Sequence, residues 1–158
     1  MKVFLAGIMQ GSLVEASIHS QDWRGPLQDL LCKHLPQARV YCHYSRHRGS
    51  IEYQQQDIIR TMEEGIRLAG QSDLLVAYLP SASMGTAIEM YEAFRHGSAV
   101  LTISPLAANW VVRCYSDRVF ADLASFEAFL ATDELGRLLE DKKKQRLSHR
   151  EHKEHEEK

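Results

Sequence analysis

One stretch constrains the fold of this chain more than any other: Ser72–Gly97, SDLLVAYLPSASMGTAIEMYEAFRHG. Leu74 to Leu79 form an unbroken apolar run between Asp73 and Pro80. The run is too short and too uniformly apolar for a surface helix and suits a strand covered on both faces. Beyond Pro80, the small residues Ser81, Ala82, Ser83 and Gly85 let the backbone turn closely around something. From Thr86 the spacing is helical, with Ala87, Ile88, Tyr91 and Phe94 apolar, Glu92, Arg95 and His96 polar, and Gly97 placed as a C-cap. A strand, a small-residue loop and a helix N-terminus form the place where an open α/β sheet holds a ligand.

The rest of the chain repeats the strand–helix alternation. Lys2 to Ala6 is a strand candidate, and the loop after it holds Gly7, Gln10 and Gly11 without the GxGxxG spacing of a dinucleotide fingerprint. Pro26 to His34 reads as a helix, with Leu27, Leu30, Leu31 and Leu35 as its buried stripe, and Arg39 to Tyr44 as a second strand. A polar loop with Arg46, His47 and Arg48 leads into a long helix over 51–69, whose Ile58, Ile59, Met62, Ile66 and Leu68 lie mostly on one side. Ala99 to Ile103 is a fourth strand, Leu106 to Cys114 a short helix, Val119-Phe120 a brief fifth strand, and Leu123 to Leu139 a closing helical region. This order predicts an α/β fold: a doubly wound, flavodoxin/Rossmann-like parallel sheet of about four or five strands with helices on both faces. Residues 1–139 form a single domain, long enough to bury a core. Residues 140–158 form a charged, apolar-poor tail, expected outside the fold as a helical extension or a disordered segment.

Charge and cysteine usage narrow the function classes. A formal net charge of −2 argues against a nucleic-acid or anionic-membrane binder, since both need a cationic surface. No apolar run approaches the ~18 residues of a membrane span. The opening MKVFLAGIMQG reads as a first strand rather than a signal peptide. Cys32, Cys42 and Cys114 show neither a disulfide framework nor zinc spacing, which fits a reducing cytoplasm. His149, His152 and His155 recur at every third residue and so do not keep to one helical face, and no metal or other cofactor is expected.

Within this frame Glu89 is the first chemical candidate. It lies in the first turns of its helix, where the macrodipole favours an ionised carboxylate. There it reads either as first-turn decoration or as a nucleophile for an electrophilic carbon such as an anomeric centre. Ser81, Ser83, Gly85 and Thr86 read as an anion or sugar-hydroxyl site, as a helix cap, or as both. Arg46 and Arg48 have the sign to bind phosphate on the same rim, or form a solvated basic loop. Glu63 and Glu64 fall late in the long helix, on a side that also reads as solvated, and Asp73 belongs to the opposite rim as a turn or cap residue.

The segments KVFLAG, SDLLVAYL and MGTAIEMYEA resemble the nucleoside 2-deoxyribosyltransferase superfamily, which includes 2′-deoxynucleoside 5′-monophosphate N-glycosidases and related CMP hydrolases. The matching residues are Asp73, then Gly85-Thr86-Ala87-Ile88-Glu89 and Ala93. The resemblance implies double displacement: Glu89 attacks the anomeric carbon and releases the base, and water or a second base resolves the glycosyl-enzyme. It also implies Ser83 as a 5′-phosphate contact, because the monophosphate hydrolases carry Ser where the transferases carry Asp. This favours the hydrolase branch. Three positions depart from the hydrolase pattern: Phe4 stands for a Tyr, Gln10 for an Arg, and Gly65 for the second catalytic Asp. Glu64 or Glu63 is then the substitute acid and Arg46 or Arg48 the substitute phosphate ligand. The family's subunits complete one another's sites, which implies a homodimer or higher oligomer and points to Asn109, Trp110 and Arg113. Gly7, Gln10, Gly11, Ser81, Ser83, Gly85 and Asn109 complete the implied substrate-binding set. The departures also motivate an alternative, a catalytically weak nucleotide-binding or sensing module of the same fold.

Overall fold

Side chains along each strand alternate between two helical layers, and this alternation sets the architecture. Val3, Leu5, Leu74, Val76, Leu101 and Ile103 pack with Leu27 and Leu31 of one helix and with Phe126, Phe129 and Leu135 from the end of the chain. Phe4, Ala6, Leu75, Ala77 and Val100 point the other way, against Ala69, Met90, Ala93 and Val112. The structure, a computed structural model, describes the backbone of residues 1–156 and the side chains of residues 1–148. The side chains of His149, His152 and His155 lie outside that range.

The described residues form strands β1 (Lys2–Gly7), β2 (Arg39–Cys42), β3 (Leu74–Tyr78), β4 (Ala99–Ile103) and β5 (Arg118–Phe120). The helices are α1 (Arg24–His34), α2 (His43–Arg46), α3 (Gln55–Gly70), α4 (Met84–Arg95), α5 (Trp110–Tyr115), α6 (Leu123–Leu130) and α7 (Glu134–Glu156). All strand pairs are parallel, in the order β2-β1-β3-β4-β5, with Leu5 opposite both Cys42 and Val76. Helices α1, α6 and α7 cover one face and α3, α4 and α5 the other. The doubly wound sheet expected from the alternation is the sheet observed.

Two local readings are corrected, and a third is refined. The second strand stops at Cys42, because His43–Arg46 coils at once into the helical turn α2, with the His47 N–H bonded to the His43 and Tyr44 carbonyls. The long helix starts at Gln55 rather than Ile51: Ser50–Glu52 form a 3-10 turn, and Tyr53 and Gln54 are extended. The closing region splits into α6 and α7, and Asp122 caps α6 in a reciprocal box with Ser125. On α3, the residues buried against the fold are the small Gly65 and Ala69, which leaves Ile58, Ile59 and Met62 exposed.

At the rim where the strands begin, polar groups satisfy one another. The Asp73 carboxylate accepts the Lys2 N–H at 2.7 Å, and Asp117 accepts the Val100 N–H at 2.8 Å while facing Lys142 Nζ at 2.7 Å. Arg146 of α7 donates to the Gly97 and Ser72 carbonyls and to Ser98 Oγ, each at 2.9 Å. Gly97 ends α4 with φ 74°; its N–H bonds the Phe94 carbonyl and the Ser98 N–H bonds the Ala93 carbonyl, a Schellman pattern that needs a left-handed residue there. Among the described residues no helix is long and apolar enough to cross a membrane.

Candidate active site

The opposite rim is open. The crossover after β1 runs through α1 on one face and the crossover after β3 through α4 on the other, so a crevice opens between the ends of β1 and β3. It holds a cleft of about 540 Å³. One wall is the loop after β1, with Gly7, Met9, Gln10 and Gly11; a second is the start of α4, with Ser83, Met84, Gly85, Thr86 and Glu89. The remaining wall comes from His43, Ser50, Ile51 and Tyr53 and from Ile58, Thr61 and Met62 of α3.

Glycine opens the floor. A Cβ at Gly7 would lie 2.3 Å from Trp23 Cη2, so only a glycine lets the strand end pass under the indole, which stacks on Tyr78 at 4.5 Å. Gly11 has φ 58° and lets the loop turn back over the cleft, where the His19 N–H holds it to the Met9 carbonyl at 2.8 Å.

Ser83 is both cap and wall. Its Oγ accepts the Thr86 N–H at 3.4 Å and the Thr86 hydroxyl at 3.1 Å, which fixes the start of α4 and leaves the Ser83 hydroxyl proton free to donate.

Glu89 sits in the second turn of α4, partly buried, with its side chain in the cleft. It makes no hydrogen bond or ion pair among the described residues. Burial pushes its carboxyl up to about 8, and the nearby Arg24 charge works in the opposite sense. The expectation that the helix dipole favours the ionised carboxylate is therefore corrected: the dipole acts within the first turn, and desolvation prevails one turn further on. Arg24 is itself buried, stacked 4.2 Å from Trp23 and 5.2 Å from Tyr44, donating to Gln21 at 2.6 Å and to Cys42 Sγ at 3.4 Å. Burial lowers its pKa.

The other anticipated residues fall in different places. Gly7, Gln10, Gly11, Ser83 and Gly85 line the cleft together with Glu89. Ser81 does not line it. Arg46 is exposed and lies over the Tyr41 ring at 5.3 Å, beside a smaller cavity on the β2 side. Arg48 is exposed, and the loop that carries it lines the cleft through Ser50, Ile51 and Tyr53 instead. No Lys or Arg lines the cleft among the described residues. Asn109 is exposed and caps α5 by accepting from the Val111 and Val112 N–H groups. Glu63 is exposed, and Glu64 lies 3.4 Å from His47 Nε2 rather than in the cleft. Phe4 is buried against Tyr41 and lies outside the cleft.

Sequence reasoning missed His43. It lines the cleft, and burial together with neighbouring His47 pushes its pKa down to about 4. The available signal was position: a residue at the carboxyl end of a parallel strand faces the ligand rim. Among the described residues no group of three or more His, Cys, Asp or Glu is placed to hold a metal ion.

No family model and no curated protein matches the sequence. Solved structures do match. The CMP N-glycosidase BcmB of Clostridium botulinum aligns over 82% of this chain and 98% of its own, at 17% identity and a TM-score of 0.49. A conserved protein from Enterococcus faecalis aligns over 82% of this chain and 96% of its own, at 15% identity and a TM-score of 0.54. The 2-deoxyribosyltransferase of the psychrotolerant bacterium Bacillus psychrosaccharolyticus aligns over the same 82% and 96%, at 15% identity and a TM-score of 0.60. On that last likeness, the chain has the fold of a 2-deoxyribosyltransferase.

Proposed function

We propose that the cleft cleaves or transfers the N-glycosidic bond of a nucleoside or nucleoside 5′-monophosphate, with Glu89 as the nucleophile. The observation that carries this reading is the lone carboxyl of Glu89 in a ligand crevice, on the motif residues that resemble the deoxyribosyltransferase superfamily. The base would lie between the apolar walls, and the sugar would present its anomeric carbon to Glu89. The Ser83 hydroxyl and the backbone N–H groups opening α4 would hold the 5′ end, as a hydroxyl or as a phosphate. Because no Lys or Arg lines the cleft among the described residues, unphosphorylated nucleosides belong in the first assay beside the monophosphates. The attack is retaining: Glu89 forms a glycosyl ester, and water or a second base then displaces it from the opposite face. Incubation with a panel of nucleosides and monophosphates, read by chromatography of free base, tests the proposal. Adding a second free base separates transfer from hydrolysis.

One observation favours a second reading. No second carboxylate joins Glu89 in the cleft lining among the described residues, and burial raises the carboxyl that is there, as suits a nucleotide-binding module that does not turn over. Calorimetric binding with no base release over hours supports that reading, and rapid release removes it.

The reading also places a second copy of the chain over the open side of the cleft. Ile58, Met62, Met84 and Ile88 line the cleft yet are 42, 39, 79 and 44% exposed, and Tyr91, Phe94 and Trp110 extend the apolar surface beyond it. Light scattering that returns twice the chain mass supports pairing; a monomer at assay concentration contradicts it.

A further inference from the structure

Gly65 is the position at which the resemblance leads one to expect a second carboxylate, and it has no side chain. The space is nevertheless filled. A Cβ built on Gly65 would stand 3.2 Å from His43 Cε1, 3.3 Å from His43 Nδ1 and 3.3 Å from Glu89 Oε1. The imidazole and the carboxyl therefore flank one point, and both line the cleft. Behind His43 a polar chain runs to the surface of α3. The Tyr41 hydroxyl is 3.3 Å from His43 Nδ1, and the His47 ring lies against the His43 ring at 4.7 Å. His47 Nδ1 is 3.1 Å from the Tyr53 hydroxyl, and its Nε2, buried without an aligned hydrogen bond, is 3.4 Å from Glu64 Oε2.

We propose that His43 is the catalytic proton carrier of this site, in place of a carboxylate at position 65, and that His47, Tyr53 and Glu64 position it. This rests on the glycosidic-cleavage reading and adds to it the route of the proton. Glu89 and His43 together hold one proton at neutral pH. In the empty cleft it resides on Glu89; with substrate bound it resides on His43, leaving Glu89 ionised for attack. As the bond between the anomeric carbon and the base nitrogen breaks, its electron pair stays on the base, which takes the proton from His43. A Glu89 oxygen forms the new bond to the anomeric carbon. In hydrolysis, water then adds its hydroxyl to that carbon and gives its proton to His43, and Glu89 leaves as a carboxylate. In transfer, an incoming base N–H supplies the proton. Either way the site returns to its starting charge.

The pH dependence separates this route from attack by Glu89 alone. The ionisable groups facing His43 are Tyr41 from β2, His47 from its own turn, Glu64 from α3, Glu89 from α4 and Arg24 from α1. With Glu89 raised to about 8 and His43 lowered to about 4, the pair carries its single proton between those limits. The kcat/KM for a nucleoside is then bell-shaped, falling below about 4 and above about 8. If His43 carried no proton, kcat/KM would instead rise through 8 to a plateau.

Leaving-group chemistry gives the decisive experiment. His43→Ala is assayed on a nucleoside and on 4-nitrophenyl 2-deoxyriboside, whose leaving group departs without a proton. The expected result is a loss of about 10²-fold or more in kcat/KM on the nucleoside and little change in kcat/KM on the nitrophenyl glycoside, since kcat/KM reports the bond-breaking step and not the later attack of water. Glu64→Gln and His47→Phe lower kcat on the nucleoside by a smaller factor, with KM unchanged and the nitrophenyl rate retained. His43→Ala combined with Gly65→Asp recovers nucleoside cleavage, because the truncation makes room for a carboxylate at the same point. Equal losses on both substrates in His43→Ala, or no loss on either, overturn the proposal. Base release that depends on Glu89 but not on His43 overturns this inference alone, whereas no base release by the unmodified protein from any substrate removes the underlying reading as well.

Discussion

At the rim where the strands begin, Asp73 accepts the Lys2 N–H and lies 3.7 Å from Arg146, and Asp117 accepts the Val100 N–H and faces Lys142. At the rim where they end, Glu89 sits in a 540 Å³ cleft with neither a hydrogen bond nor a counter-ion in contact among the described residues, and His43 beside it is held below its ordinary range. The two rims use the same residue types to opposite ends. Paired carboxylates and capped carbonyls hold the strand starts together, whereas at the other end the Glu89 carboxyl is left to act on a ligand. Burial of an unpaired carboxyl is unfavourable, so the open rim weakens the fold that the closed rim supports.

The largest test of this contrast is chemical. Glu89→Gln lowers base release by about 10³-fold or more, because amide nitrogen and oxygen do not replace a carboxylate nucleophile. Arg146→Ala, at the closed rim, leaves kcat within error, and chromatography of free base reads both. A loss of activity in Arg146→Ala equal to that of Glu89→Gln would break the division.

The next effect runs the other way. Folding raises the Glu89 carboxyl from 4.5 to about 8, so between those values the folded chain binds more protons than the unfolded one. That contribution to stability is complete below 4.5 and is lost as pH rises toward 8. Glu89→Gln removes the loss and is more stable than the unmodified protein at pH 9 by about 3 kcal/mol, a discounted figure because the carboxyl keeps some solvent contact. The difference shrinks toward zero near pH 4, and urea denaturation at the two pH values measures it.

Arg146→Ala should destabilise by about 2 kcal/mol, since it removes charged hydrogen bonds to two carbonyls and a hydroxyl. Denaturant midpoints measure that loss. Ser83→Ala is the smallest, at about 1 kcal/mol from the lost cap of α4. It also raises KM more for a 5′-monophosphate than for the nucleoside if the hydroxyl meets the phosphate, and steady-state kinetics decides.

The closed rim and the sheet were legible in different degrees. Apolar runs bounded by Asp73, Pro80 and Gly97 marked β3 and the end of α4, because a strand covered on both faces leaves an unmistakable composition. The role of α7 was not legible. Its first turns pack Leu135, Leu138 and Leu139 on the core, but beyond them Lys142 and Arg146 bond the strand starts, and hydrophobic patterning does not register docking through polar groups.

At the open rim, Glu89, Ser83 and the glycine loop could be found because their residue types and spacing carry the chemistry. His43 was harder to find, because Arg39 to Tyr44 reads as a continuous strand, whereas the backbone coils from His43. Nor did the sequence show that Arg46 lies over Tyr41 instead of lining the cleft. That depends on where the α2 turn carries the side chain.

The central claim is that Glu89 forms the covalent bond to the sugar. A 2-deoxy-2-fluoro nucleoside, whose fluorine slows departure of the sugar from the enzyme, tests it directly by mass spectrometry of the proteolysed protein. The account predicts one glycosyl adduct, on Glu89, formed together with one equivalent of free base and absent in Glu89→Gln. Catalytic base release with the Glu89 peptide unmodified, or an adduct on another residue, would contradict it.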